Sequence, residues 1–371
     1  MRPITLLVLA LLCLLPSRGF AQCIVFNTTS NEIFSTVKAA VNQASTGDTL
    51  LVGNCTFQET GIVIDDSRDL RLVGVPGVTT LDGGGRNETI LTVTGDARVT
   101  IEGITFRNGV SSDPAGGDGG AINVRNQGHA IVRDCVFQTN GSPNHQLGAV
   151  VCRSDSTMRI ENSIFRDNLG RSNANAPAAA SLFRSRLIMV NCVITGTTNG
   201  SSAVYAQTDS RLEVINCTFA DNATGRAIRA GDNARLELFN SVFDRNNPIL
   251  VFGESIADSG RNVFPGADSP DINATPVFVN AASGDYRLAA GSPGIDAADA
   301  ALYSGPMLDP LGSARLADDR EVANGFEPPL DCGAFERPSA TCSAADFAAP
   351  FGVVDLSDVD AFVQSFLTGC P

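Results

Sequence analysis

The 371-residue sequence predicts an all-β chain built as one parallel solenoid, with a helical cap at its N-terminal end and a small helical tail at its C-terminal end. Three observations predict it. A short segment recurs in register as Thr100-Ile-Glu-Gly-Ile-Thr-Phe106, Val132-Arg-Asp-Cys-Val-Phe137, Ile160-Glu-Asn-Ser-Ile-Phe165, Met189-Val-Asn-Cys-Val-Ile194, Val214-Ile-Asn-Cys-Thr-Phe219 and Leu238-Phe-Asn-Ser-Val-Phe243. Polar columns flank that aromatic column: Gly103, Asp134, Asn162, Asn191, Asn216 and Asn240 stand three residues before it, and Asn140, Asn168, Asn222 and Asn246 three residues after. Ile122, Val150, Val204 and Ile228 each lie 15 residues before a Phe of the column, whereas the stretch from one anchor to the next such residue shrinks from 16 residues (106 to 122) to 9 (219 to 228). A unit of fixed length joined by a loop of variable length is the signature of stacked repeats.

Within a repeat, Leu212 and Val214 share one parity while Cys217 and Phe219 share the other. A strand alternates with period two, so this change of phase places a tight bend at Asn216 between two short strands. Asn suits the bend because it tolerates the left-handed region and bonds locally. A third strand starts at Ala121-Ile122, Ala149-Val150, Ala203-Val204 and Ala227-Ile228. Three strands and one loop per coil make a right-handed parallel β-helix, whose coils stack at about 4.8 Å so that equivalent side chains form ladders. Cys135, Cys192 and Cys217 fall in an inward column with Ser163 and Ser241 and are expected to be small core residues. Asp96, Asp155 and Asp209, each 10 before its anchor, form a turn ladder. Earlier coils show in Asp48–Val52, Gly61–Ile64, Leu70–Val73 and Ile90–Val93, and Asn31–Ala44, with Ile33, Phe34, Val37 and Val41 at helical spacing, is expected to cap the first coil.

The two ends differ from the repeat. Met1-Arg2, the apolar run Ile4–Leu15, Pro16 and Gly19-Phe20-Ala21 read as a secretory signal over residues 1–21, which makes the expected location secreted, extracellular or on the cell surface. No other segment approaches the ~18 apolar residues of a membrane span, so the mature chain is expected to lack one. Residues 22–338 form the solenoid with its terminal block, and residues 342–371 a separate tail. In that tail Val359, Phe362, Val363, Phe366 and Leu367 follow helical spacing, Asp355 and Asp358 can cap its start, and Gly369 its end. Losing Cys13 with the leader leaves nine of the ten cysteines, an odd number for an oxidising compartment, with Cys342–Cys370 and Cys23–Cys55 as the expected disulfides.

Composition narrows the partners. A formal charge of −14, from 26 Lys plus Arg against 40 Asp plus Glu, excludes a nucleic-acid binder, which needs clustered cations to displace counterions. Hydrophobic residues at 43% with charged residues at 18% suit a packed core rather than disorder.

Ala39-Ala40, Gly47-Asp48 and Leu81-Asp-Gly83, followed by the Asn-Cys-x-Phe turns, resemble the pectate-lyase-like superfamily of right-handed β-helix proteins. Farther on, Gly284-Asp-Tyr-Arg-Leu288, Ser292-Pro-Gly-Ile-Asp296, Asp309 with Gly312 and Arg315, and Asp331-Cys-Gly-Ala-Phe-Glu336 resemble the terminal block of choice-of-anchor Q proteins. That resemblance implies one body attached to differing anchoring tails. The tail is similar to a single dockerin repeat of the type ending in Gly-Cys, which implies an anchoring or sorting machinery as partner. Dockerin loops are related to calcium EF-hand loops, so Asp346, Asp355 and Asp358 are candidate calcium ligands with Gly352 at the sharp turn. Phe347, Ala349 and Phe351 stand where early oxygen ligands belong, and an ordinary capped helix closed by Cys342–Cys370 is the alternative.

For the solenoid, the superfamily implies two kinds of function. Its lyases need a calcium-binding acidic group and an Arg or Lys base that abstracts a proton beside a carboxyl. The only lysine, Lys38, sits in the cap, which leaves Arg125, Arg153 and Arg229 as candidate bases and Asp113 and Asp118, in the long loop, as candidate metal ligands. The ordered signatures of polygalacturonase-type hydrolases are absent from the sequence, and His129 and His145 are expected at the surface. The preferred expectation is a structural or carbohydrate-contacting module with no assured catalysis, its contact surface including Asn123, Tyr205 and Arg229. A calcium-dependent polysaccharide lyase acting on acidic glycan and a cell-envelope adhesin are the alternatives. Polysaccharide or a cell-envelope component is the expected partner.

Overall fold

The structure is a computed structural model that describes residues 23–111, 117–142, 144, 147–171, 176–246, 249–251, 255–319 and 322–337. Successive short strands visit three sheets in turn, of eleven, ten and eight strands, and so wind a parallel β-helix. One coil shows the pattern: Arg98–Glu102 lies in the first sheet, Thr105–Arg107 in the second and Ile122–Val124 in the third. Each pairs in parallel with its equivalent one coil on, setting Ile101 beside Val132, Phe106 beside Phe137 and Ile122 beside Val150. The anchors Phe106, Phe137, Phe165, Ile194, Phe219 and Phe243 are consecutive partners in the second sheet, as the sequence register expects.

The two polar columns do different work. Asn162, Asn191, Asn216 and Asn240 have φ of 49–55°, so they are the left-handed residues that bend the chain from the first sheet into the second, with Asp134 and Gly103 in the same role. At the second bend the left-handed residue is the one just before the asparagine column, namely Asn108, Thr139, Asp167, Gly196, Asp221 and Arg245. Asn140, Asn168 and Asn222 instead turn their side chains into the protein and are buried. Their Nδ2 groups donate to Phe106 O, Phe137 O and Ile194 O at 2.9–3.0 Å, and the Asn168 Oδ1 accepts from the Asn140 backbone N–H at 3.0 Å. The ladder thereby ties the bend to the carbonyls of the second-sheet anchors and supplies an acceptor to bend amides. Asp96, Asp155 and Asp209 lie at the third bend, each with positive φ.

Inside, Phe106, Phe137 and Phe165 stack with centroids 5.4 and 4.5 Å apart, and Phe219 and Phe243 stack at 4.9 Å. Cys135, Cys192, Cys217, Ser163 and Ser241 are buried in the neighbouring inward column. Ser163 Oγ and Ser241 Oγ accept the Cys135 and Cys217 amides at 3.2 and 3.1 Å, which accounts for small polar groups in an apolar core.

The N-terminal end departs from expectation. The helix runs Val37–Gln43, while Ile33 and Phe34 belong to the strand Glu32–Phe34, which pairs antiparallel with Val25–Asn27. Two caps set this start. Thr36 Oγ1 accepts the Ala39 N–H at 3.1 Å, and the Glu59 carboxylate, from a loop 21–22 residues on, accepts the Val37 and Lys38 N–H groups at 2.8 Å each. The helix buries Val37, Ala40 and Val41 over the first coil, and Cys23 and Cys55 form a disulfide beside it.

The terminal block does not extend the solenoid axis. It lies along the outside of the bend between the first two sheets. Tyr303 packs on Ile188, Val190 and Ile215; Tyr286, Ala334 and Phe335 pack on Val193 and Ala220; Ala297, Ala298, Leu330 and Cys332 pack on Val242 and Val263. Bend asparagines take part, since Asn216 Nδ2 donates to Asp331 O at 2.7 Å and Asn240 Nδ2 to Asp299 O at 3.0 Å. In earlier coils the matching outward column carries Arg107, Gln138 and Arg166, whereas Thr195 and Ala220 follow where the block covers it.

Phe165→Ala, which opens the middle of the stack, is expected to lower unfolding free energy by about 3–5 kcal/mol, read by urea denaturation. Burial pushes the Cys135 and Cys152 thiols up to about 12. Both are therefore expected to resist iodoacetamide at pH 8 in the native protein and to alkylate on unfolding, as peptide mass spectrometry would show; rapid native labelling would contradict their burial.

Candidate functional site

Among the described residues, two polar clusters stand apart from the repeat's own ladders. The first lies at the downstream edge of the third sheet. Arg125 and Arg153 follow the paired residues Val124 and Cys152, so neighbouring coils project their guanidinium groups together. Arg153 pairs in turn with Phe183, and Phe183 with Gln207. Asp118, from the loop entering the third sheet, is held between them: its Oδ1 lies 2.5 Å from Arg153 Nη2 and 3.7 Å from Arg125 Nη1, and accepts from Asn123 Nδ2 at 2.6 Å. Phe183 remains 36% exposed, with Arg184 over its ring at 5.2 Å. Such a row of planar donors beside an aromatic face can hold a polar, flat-sided ligand.

This geometry corrects several expected roles. Asp118 Oδ1, expected as a metal ligand, is instead taken up by two guanidinium groups and the Asn123 amide, whose positive charge disfavours a cation at that oxygen. Asn123 is fully buried and Tyr205 is 4% exposed, so neither belongs to an accessible contact surface. For Asn123 the reason is close loop packing, since a Cβ on Gly117 would meet Arg153 Nη1 at 2.2 Å, and one on Gly119 the Ala149 carbonyl at 2.9 Å; Tyr205, two strands beyond Val151, has the Arg229 guanidinium over its ring. The loop therefore lies on the outer face of the sheet. Arg229 stacks over Tyr205 at 4.8 Å and sits three strands beyond Arg153, about 14 Å by strand spacing, so the three candidate bases do not converge. Asp113 lies outside the described residues, as do Asp346, Asp355, Asp358, Cys342, Cys370, His145 and the leader.

The second cluster is inside the terminal block. Asp296, Asp331 and Glu336 are buried, and one carboxylate oxygen from each lies within 4.8 Å of the others. Backbone amides orient all three. Asp319 N donates to Asp296 Oδ2 at 3.1 Å, Asp296 N and Arg337 N to the two Asp331 oxygens at 2.8 and 2.7 Å, and Ala317 N and Asp331 N to the two Glu336 oxygens at 3.2 Å. Arg315, also fully buried, lies 3.4 Å from Glu336 Oε2, donates to the Asp331 and Gly333 carbonyls, and faces the Tyr303 ring. Burial pushes the Asp296 carboxyl up to about 6 and holds those of Asp331 and Glu336 above the ordinary carboxylate range, against the pull of Arg315. In the sequence these residues stand only within the terminal pattern, and nothing in their spacing shows that they meet.

A family model described as a right handed beta helix region matches residues 39–173 and 89–264. The chain belongs to the right-handed β-helix family. No curated protein matches it. Among solved structures, this β-helix protein is similar to the pectate lyase Pel9A, at 13% identity and a TM-score of 0.42 over 81% of this chain and 90% of that one. It is also similar to the PL6 family alginate lyase AlyGC, at 13% identity and a TM-score of 0.20, over 73% of this chain and 58% of that one. Likeness at this level says nothing of activity.

The buried carboxyls bear on how the β-helix protein responds to pH. Groups whose folded values are raised take up protons on folding, so their contribution to stability is present at low pH and lost as pH climbs from the unfolded carboxylate range through the raised values. With EDTA present, the melting temperature is expected to fall between pH 5 and pH 8, and Glu336→Gln to flatten that fall. Calorimetry at stepped pH checks this, and a rise over the range would reverse the sign.

Proposed function

We propose that the protein is a non-cleaving β-helix body of the cell exterior that contacts polysaccharide along the downstream edge of its third sheet and is attached through residues 342–371. The observation that carries the contact site is the register of Arg125, Arg153, Phe183 and Gln207, one per coil, with an exposed aromatic face among hydrogen-bond donors. A polymer running along the solenoid axis would meet equivalent positions at each coil, which is how solenoids present extended binding surfaces. The reading as a contact surface rather than a lyase rests on Asp118, whose 2.5 Å contact with Arg153 occupies the guanidinium a base would need free. Placement outside the cell is supported by the apolar leader-like run Ile4–Leu15 and by the Cys23–Cys55 disulfide, which suits an oxidising compartment. Attachment through the tail is supported by its likeness to a dockerin repeat and by that of residues 284–336 to the choice-of-anchor Q block.

A glycan array with the intact protein, Arg153→Ala and Phe183→Ala tests the contact surface. Binding by the wild type with an affinity loss of about tenfold or more in each variant is expected, in line with truncating an anchor side chain. No binding to any polysaccharide would overturn the proposal, and ultraviolet-absorbing unsaturated sugar released from pectin or alginate would replace it with a lyase. Deleting residues 342–371 is expected to move the protein from the envelope fraction into the medium; unchanged retention would remove the tether.

A further inference from the structure

We infer that Asp296, Asp331 and Glu336 together hold one divalent cation, of the calcium class, inside the terminal block. Convergence is the first ground: three buried carboxylates place oxygens within 4.8 Å of one another, a separation that one ion can bridge. An orphaned acceptor is the second. Asp296 Oδ2 accepts the Asp319 amide, but Asp296 Oδ1 is buried with no hydrogen-bond partner, and a fully buried carboxylate oxygen left unsatisfied is costly. Charge is the third. Arg337 pairs with Asp319, and Asp309 is satisfied by the Leu311, Ser313 and Glu336 amides. Arg315 is the guanidinium in direct contact with the three converging carboxylates, while Arg337, paired with Asp319, acts on Asp296 from farther off, so acid outnumbers base in the cluster and a divalent ion would redress the balance.

The donor set selects the ion. All three ligating groups are carboxylates, hard oxygen donors that suit calcium or magnesium rather than zinc or copper. The cluster contains no imidazole, and Cys332 directs its Sγ to the Arg261 carbonyl at 3.2 Å. Calcium tolerates irregular geometry with part of its shell from backbone carbonyls or water, whereas magnesium demands a near-ideal octahedron. The backbone amides that orient these carboxylates come from residues 296, 317, 319, 331 and 337, so an ion here would tie together the segments that clamp the bend of the solenoid.

The full chain, stripped with EDTA and dialysed, tests the site with calcium alone as the probe. Equilibrium dialysis with elemental analysis is expected to recover an ion that Asp296→Asn and Glu336→Gln fail to hold, with affinity reduced at least tenfold. Saturating calcium is expected to raise the melting temperature of the wild type by about 3–5 °C and that of Asp296→Asn by nothing measurable. Asp296 has a φ of 49°, which Asn adopts readily, and the amide oxygen can still accept from Asp319 N, so this variant keeps the fold. A double variant, Asp355→Asn with Asp358→Asn, separates this ion from any bound by the tail: it is expected to retain both the ion and the shift. The proposal is overturned if calcium leaves the wild-type melting temperature unchanged, as protons neutralising the cluster would require, or if the tail variant loses all calcium while Asp296→Asn keeps it.

Discussion

The repeating body of this molecule follows from the parallel backbone ladder between successive coils. Hydrogen bonding at about 4.8 Å spacing forces each residue to sit above its equivalent one coil away. A side chain that suits one coil must therefore suit its copies as neighbours. Phe can, because offset rings at that separation attract, and the rings of Phe137 and Phe165 stand 4.5 Å apart at an interplanar angle of 13°. Asn can, because its amide donates and accepts at once, so Asn140 and Asn168 bond each other and the carbonyls of the anchors Phe106 and Phe137. Arginine and glutamate can when their columns stand side by side, as the stacked Arg186, Arg211 and Arg235 pair with Glu213 and Glu237 of the next column on the outside of the first sheet.

A ladder that continues indefinitely must also be stopped, since an open strand edge pairs with whatever strand it meets. At the N-terminal end the solution is local: an antiparallel pair and a short helix, capped at long range by Glu59. The terminal block takes a different course, turning back along the outside of the solenoid and sealing onto apolar outward positions such as Val190, Val193 and Ala220. Sealing the block brings acidic groups from distant parts of its sequence together, with Arg315 among them. The most concentrated buried charge among the described residues thus sits where the chain is clamped, away from the arginine row of the third sheet.

Much of the repeat was legible because stacking writes itself into the sequence as columns. The Phe anchors, the asparagines of the first bend and the third-strand positions Ile122, Val150, Val204 and Ile228 all pair in the expected register. The contact surface was less so. Asn123 and Tyr205 point outward from the sheet by parity, yet a neighbouring loop lies over Asn123 and the Arg229 guanidinium over Tyr205. Gly117 and Gly119 were the available signal, since close backbone approach needs residues without a Cβ. The N-terminal helix is shorter than its periodicity implies because Ile33 and Phe34 fit helical spacing, while their competing strand partners at Val25 and Phe26 are invisible to a local window.

By itself the sequence determined the fold class, the coil register and the identity of the stacked core, because each depends on residues compared at equivalent positions of neighbouring repeats. Tertiary structure alone decided which outward residues are accessible, that Asp118 is clamped by two arginines, and that Asp296 meets Asp331 and Glu336. Those outcomes depend on where non-repeating loops and the terminal block come to rest. No column records that placement, since such segments have no equivalent one coil away to hold them in register.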